Sequence, residues 1–157
     1  MNEYLVSLPR KRVGAGALIF NTKGEVLLVK PTYKGHWSIP GGTVEENESP
    51  RHACIREIKE EIGLDMSSLT FLCVDYTPAI GDKNEALQFA FYGGILTDTQ
   101  ISSIHLQEKE LSEFRFVSVD DAVELTGGHM RNLAKRIPKC IDAIKTGTAV
   151  YLENGEF

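Results

Sequence analysis

The sequence predicts an α+β fold in which helices cover a mixed β-sheet. Three observations lead there. Runs of β-branched and apolar residues come in pairs around Asn- and Gly-rich turns, the pattern of hairpins. Stretches with helical spacing stand apart from those pairs. The resulting order, β-β-loop-α-β-β-loop-β-α, lacks the alternating β-α units of a doubly wound sheet. With 157 residues, 42% of them hydrophobic and 25% charged, the chain can enclose one proper core. No repeat, low-complexity segment or linker marks a second unit, so residues 1–157 are read as a single domain.

Arg12 to Phe20, the turn Asn21-Thr22-Lys23-Gly24, and Glu25 to Lys30 read as strand, turn and strand. Two prolines, three glycines and Trp37 between Pro31 and Gly42 favour a rigid loop. A helix begins at Ser49, an N-cap residue followed by Pro50 at the first helical position, and Gly63 stops it. Leu69 to Ala79 and Ala86 to Leu96 form a second strand pair around Gly81 to Glu85, and Glu113 to Val119 a further strand. Asp120 to Leu125 and Met130 to Thr146 have helical spacing, with Pro138 expected to kink or divide the second. Thr148 to Leu152 reads as an edge strand, and Glu153 to Phe157 as a loose end.

Composition narrows the function. A net charge of −5 argues against general nucleic-acid binding, which rests on clustered Lys and Arg. No apolar run approaches the roughly 20 residues of a membrane span, and the N-terminus lacks the apolar region of a signal peptide. The expectation is a cytoplasmic protein, monomer or homodimer, with a small-molecule partner and neither nucleic acid nor membrane. Cys54, Cys73 and Cys140 lie far apart in sequence and are read as reduced, mostly buried thiols.

The chemistry concentrates in Gly42 to Leu64, a loop feeding an acidic helix. Glu57, Glu60 and Glu61 stand at i, i+3 and i+4, so at about 100° per residue their carboxylates share one face and are expected to converge. Ile55, Ile58 and Ile62 occupy another arc, which leaves the acidic arc free for a ligand. Glu57 and Glu61 repel at i, i+4, a penalty that a bound cation removes. All-oxygen donors suit Mg²⁺, with Mn²⁺ as the substitute; zinc is disfavoured because no His or Cys joins at ligand spacing. Arg56 beside the acidic face and Glu48 before the helix are expected to pair and tie loop to helix, and Gly41 and Gly42 allow a close backbone approach to the metal.

These residues resemble the Nudix hydrolase signature, G-x5-E-x7-R-E-U-x-E-E-x-G-U with U a bulky aliphatic residue, at every specified position, and Trp37 and Pro40-Gly41 precede it. The resemblance implies an α/β/α sandwich with a mixed sheet and Mg²⁺-dependent hydrolysis of a diphosphate linkage in a nucleotide-like substrate. It implies Glu57, Glu60 and Glu61 as metal ligands, Gly41 as donor of a carbonyl to the metal, and Arg56 and Glu48 as orienting residues. The family takes its general base from the helix or from a distant loop glutamate. Glu108 and Glu110 are the loop candidates here, Glu110 preferred.

Bland readings compete elsewhere. His36, His52, His105 and His129 are read as surface or packing residues, and Trp37 as a buried aromatic anchor. Tyr33, Lys34 and Tyr76 fit either a packing or a substrate role. Arg131, Lys135 and Arg136 fit a solvated basic face as well as phosphate contacts. A nucleoside triphosphate is the first substrate class. ADP-ribose or a nucleotide sugar comes second, on the strength of Pro78, 15 residues after Gly63. No coenzyme A type signature precedes the motif, and no tyrosine suits a diadenosine polyphosphate hydrolase. A non-enzymatic nucleotide-binding module and an isopentenyl diphosphate isomerase rank lower, because the acidic helix is intact and Cys54 lies inside it.

Overall fold

The computed structural model describes residues 2–33, 35–128 and 132–157. Among these, seven strands make one mixed sheet. The first hairpin forms as its turn dictates. Asn21 Oδ1 accepts from the Lys23 and Glu25 amides at 3.0 and 2.9 Å, and Gly24 takes φ 78°. Glu25 is thereby held in the turn, so β1 is Arg12–Phe20 but β2 is Val26–Pro31, one residue later than expected.

Beyond that turn β1 and β2 diverge. The loop residues Gly41–Thr43, not expected as a strand, form β3 and pair antiparallel with Gly14 to Gly16 of β1. The signature helix α2, Pro50–Ile62, follows. Next come β4, Thr70–Thr77, and β5, Ala86–Ile95, antiparallel to each other, with β5 parallel to β1. Pro78, which cannot donate to a ladder, ends β4 earlier than expected. β6, Leu111–Val117, pairs with β2, and β7, Val150–Glu153, lies parallel to β4. The order is β6-β2-β1-β5-β4-β7, with β3 beside β1.

Alternation along β1 sends two sets of side chains to two cores. Ala15, Ala17 and Ile19 meet Ala53, Cys54, Ile58 and Ile62 of α2. Leu18 and Phe20 meet the other layer, built by α4 (Val119–Thr126) and α5 (Leu133–Thr146). The sheet thus has helices on both faces.

Several expectations are corrected. A five-residue helix, α1 (Glu3–Ser7), precedes β1, and α3 (Asp98–Ser102) follows β5 behind a Thr97/Gln100 capping box. Ser118 accepts from the Asp121 amide as N-cap of α4, which takes Val119 out of β6. One helix, α5, continues through Pro138. Pro138 is exposed, while Leu133, Ile137, Cys140 and Ala143 anchor the helix on both sides of it. The expected start of that helix at Met130 lies outside the described residues. The C-terminal residues are fastened, not loose: Asn154 donates to the Tyr76 carbonyl at 2.8 Å and Gly155 to Asp75 Oδ1 at 2.9 Å. Cys73 and Cys140, distant in sequence, bring their sulfurs to 3.6 Å, and all three cysteines are free and buried. No helix among the described residues is long and apolar enough to cross a membrane.

Candidate active site

The helix that carries the acidic residues is fixed at both ends. Ser49 accepts from the His52 amide at 3.1 Å, Pro50 occupies the first turn, and Gly63 closes the helix at φ 75°. Ala53, Cys54, Ile58 and Ile62 are buried, and Ile55 is half-buried.

Arg56 is the hub that joins this helix to the preceding loop. Its Nε and Nη2 donate to the two oxygens of Glu48 at 2.7 and 2.9 Å, and Nη2 also reaches the Thr43 carbonyl at 3.1 Å. The bidentate pair holds the Glu48 carboxyl far below its ordinary range, at about 2. Nη1 turns to the acidic face, 3.0 Å from Glu57 Oε1 and 3.3 Å from Glu60 Oε2. The expected tie between loop and helix is therefore present.

Glycines let the loop press on the acids. A Cβ on Gly42 would lie 2.4 Å from the Glu57 carboxyl carbon, and one on Gly41 would lie 2.2 Å from the Ala15 carbonyl oxygen. Gly41, at φ 151°, donates its N–H to Glu61 Oε1 at 2.9 Å. Glu61 is 5% exposed. Burial pushes its carboxyl up to about 8; the Gly41 hydrogen bond opposes this, while the charges of Glu57, Glu110 and Glu60 add to it. Burial likewise raises Glu57, against the pull of Arg56.

The loop before β6 closes the other side. Gln107 donates to the Glu61 carbonyl at 3.0 Å and His105 to the Ile62 carbonyl at 2.9 Å, which satisfies the last turn of α2. The Thr32 amide reaches the Glu110 carbonyl at 2.8 Å. Glu110 thereby lines the cleft with Glu57, Glu60 and Glu61, whereas Glu108 is not among the lining residues.

One expectation is corrected: the carboxylates share a face without closing on a common point. Among the described residues no three His, Cys, Asp or Glu side chains are already grouped around a metal position. Arg56 draws Glu57 and Glu60 toward itself, and like charges oppose convergence. The donor set nonetheless fits a hard divalent cation. It is all oxygen, it leaves Glu61 buried among like charges, and among the described residues no cation pairs with Glu61.

The cleft, about 1280 Å³, runs from this face along β1 to β5, β4 and the start of α5. Gln88, Arg12 and Gly14 line it, and sequence reading missed them, since the β1–β5 pairing that assembles them has no local signal. Tyr33, His36, Pro78 and Arg136 line it too. Trp37 is buried as expected, with the Arg115 guanidinium 4.7 Å from its ring centre. His52 and His105 are exposed, Tyr76 bonds Glu85 at 2.7 Å, and Lys135 pairs with Glu156 at 3.5 Å. Lys34, His129 and Arg131 lie outside the described residues.

The NUDIX domain model matches residues 10–140. An RNA pyrophosphohydrolase from Hydrogenovibrio crunogenus is 41% identical over 61 residues, 39% of this chain and 37% of that protein. An 8-oxo-dGTP diphosphatase from Proteus vulgaris is 37% identical over 62 residues, 37% of this chain and 55% of that protein. The match thus spans between about a third and somewhat over half of these two relatives' length. The crystal structure of a MutT protein from Methanosarcina mazei Go1 superposes with a TM-score of 0.68 at 25% identity, over 85% of this chain and 97% of that one. The architecture shared with it is a mixed sheet between helical layers, an α/β/α sandwich.

Proposed function

The chain belongs to the Nudix family, and from that premise and its acidic helix we propose that it hydrolyses, with Mg²⁺, a diphosphate linkage in a nucleoside triphosphate or another nucleoside diphosphate derivative. The observation that carries this reading is Glu61, buried, destabilised as a carboxylate by the charges of Glu57, Glu110 and Glu60, and paired with no cation among the described residues. Mg²⁺, or Mn²⁺ in its place, would supply Lewis-acid polarisation of the phosphoryl group and a lowered pKa for the attacking water when bound.

Glu57, Glu60 and Glu61 would hold the metal, with the Gly41 carbonyl as a further oxygen donor. Arg56 and Glu48 keep the loop and helix in register. Glu110, on the facing loop, accepts the proton of the attacking water. The water oxygen bonds to phosphorus as the bridging P–O bond breaks.

Pro78 lines the same cleft and supports a second substrate class, ADP-ribose or a nucleotide sugar. The partner is in either case a small nucleotide-like molecule. Three buried free cysteines accord with a cytoplasmic setting. The test is a hydrolysis screen over nucleoside triphosphates, ADP-ribose, nucleotide sugars and dinucleoside polyphosphates, with Mg²⁺ or with chelator, reading phosphate, pyrophosphate and nucleotide products. Metal-dependent turnover of at least one class is expected. An inert wild type that still binds nucleotides would replace this reading with a binding module.

A further inference from the structure

The cleft has a second charged feature, at the end remote from the acidic helix. Asp75 in β4 is fully buried. Its Oδ2 accepts from Nε of Arg136 at 2.9 Å and forms an ion pair with Nη2 at 2.9 Å, and its Oδ1 accepts from the Gly155 amide at 2.9 Å. The carboxylate is thus satisfied, and it grips the guanidinium by one side. Arg136 lines the cleft with 11% of its side chain exposed, and its Nη1 has no hydrogen bond among the described residues. The outer fork of the guanidinium, an N–H of Nη1 parallel to the second N–H of Nη2, is left for a ligand.

Sheet register places this fork relative to the metal face. Thr43, Gly14, Gln88 and Asp75 are successive partners across β3, β1, β5 and β4. Three strand spacings separate the first from the last, about 14 Å, comparable to the reach from a diphosphate to the far edge of its base. Between them the Gln88 carboxamide lies across Gly14, where a Cβ would meet its Oε1 at 2.2 Å. Gln88 also lines the cleft and makes no side-chain hydrogen bond among the described residues. Leu133, one turn before Arg136, and Ile39 supply apolar lining.

We propose that Arg136, oriented by Asp75 and assisted by Gln88, reads the substrate's base and selects a 6-oxopurine nucleotide over a 6-aminopurine one. This rests on the hydrolase reading above. The chemistry follows from the donor set. A guanidinium has donors only, so it rejects an exocyclic amine and accepts an edge with adjacent acceptors, such as the O6 and N7 of guanine. The Gln88 carboxamide can donate or accept at a neighbouring base position. Asp75 is a positioning residue, with no ligand contact of its own.

The test separates binding from turnover. Guanosine and adenosine monophosphates, which have no anhydride to cleave, are titrated calorimetrically into wild type, Gln88→Ala and the double variant Asp75→Asn/Arg136→Met. The double variant removes both charges of the buried pair, because removing Arg136 alone would strand a buried carboxylate; a thermal melt verifies its fold. Wild type is expected to bind the guanosine nucleotide at least about tenfold tighter, one well-formed bidentate contact. The double variant should lose that preference while keeping adenosine affinity within about twofold, and Gln88→Ala should lose part of it. With guanosine triphosphate as substrate, KM should rise and kcat hold. A wild type without base preference, or a folded double variant that keeps it, overturns the proposal even if Mg²⁺-dependent hydrolysis is intact. Absence of all hydrolysis with the preference present overturns the hydrolase reading instead.

Discussion

Replacing Glu61 by glutamine should stabilise the metal-free protein at mildly alkaline pH, although it removes a proposed metal ligand. Glu61 titrates near 8 instead of the ordinary 4.5, first because burial strips its water and then because Glu57, Glu110 and Glu60 add negative charge. A folded-state pKa raised above the unfolded one gives stability that is complete below pH 4.5 and is lost as the pH rises through about 8. At about 1.4 kcal/mol per pKa unit, ionising this group by pH 8 removes on the order of 4 kcal/mol. Glutamine has nearly the same volume, keeps an acceptor for the Gly41 N–H, and carries no charge. Urea unfolding in chelator should find variant and wild type alike near pH 4, with the variant more stable by on the order of 4 kcal/mol near pH 8. Saturating Mg²⁺ should then reverse the order, because only wild type gains from binding. Parallel pH dependences for the two proteins in chelator would refute the electrostatic account of this site.

Other perturbations probe separate parts of the account. Gly42→Ala puts a Cβ 2.4 Å from the Glu57 carboxyl carbon; kinetics should show a loss of about 100-fold in kcat with a normal circular dichroism spectrum, since small misplacements cost that much. Glu110→Gln should lower kcat by about 10²- to 10⁴-fold, the range of general-base catalysis, and Glu108→Gln should leave it within about twofold, read by initial rates on one substrate. Thr97→Ala removes the α3 capping box and should cost about 1 kcal/mol, lowering Tm by about 2–4 °C without changing activity.

The features legible in the sequence were those with local causes. Ser49, Pro50 and Gly63 bound α2 within a residue, and Asn21 to Gly24 announced the first hairpin. Glu48 and Arg56 were matched correctly because the short loop between them leaves little choice. Helical periodicity put three glutamates on one face but said nothing about rotamers, and Arg56 draws two of them away from a common point. What remained hidden depends on contacts between distant residues. The parallel pairing of β1 with β5 brings Gln88 over Gly14, and the packing of α5 on β4 joins Arg136 to Asp75 and Cys140 to Cys73. Pro138 does not divide α5, since it lies on the exposed side while Ile137 and Cys140 beside it are buried. The Thr97 to Gln100 cap was readable but governs a helix of five residues, too short to show periodicity.

In the proposed reaction, carboxylates on α2 hold a divalent metal that drives hydrolysis of a diphosphate linkage. Initial rates on the best substrate of the screen, measured for wild type and Glu60→Gln across a Mg²⁺ titration from chelator upward, test it most directly. No turnover is expected in chelator, wild type should show saturable activation, and the variant should be slower by orders of magnitude with an unchanged melting curve in chelator. Turnover that ignores Mg²⁺, or a Glu60→Gln protein as active as wild type, would contradict it.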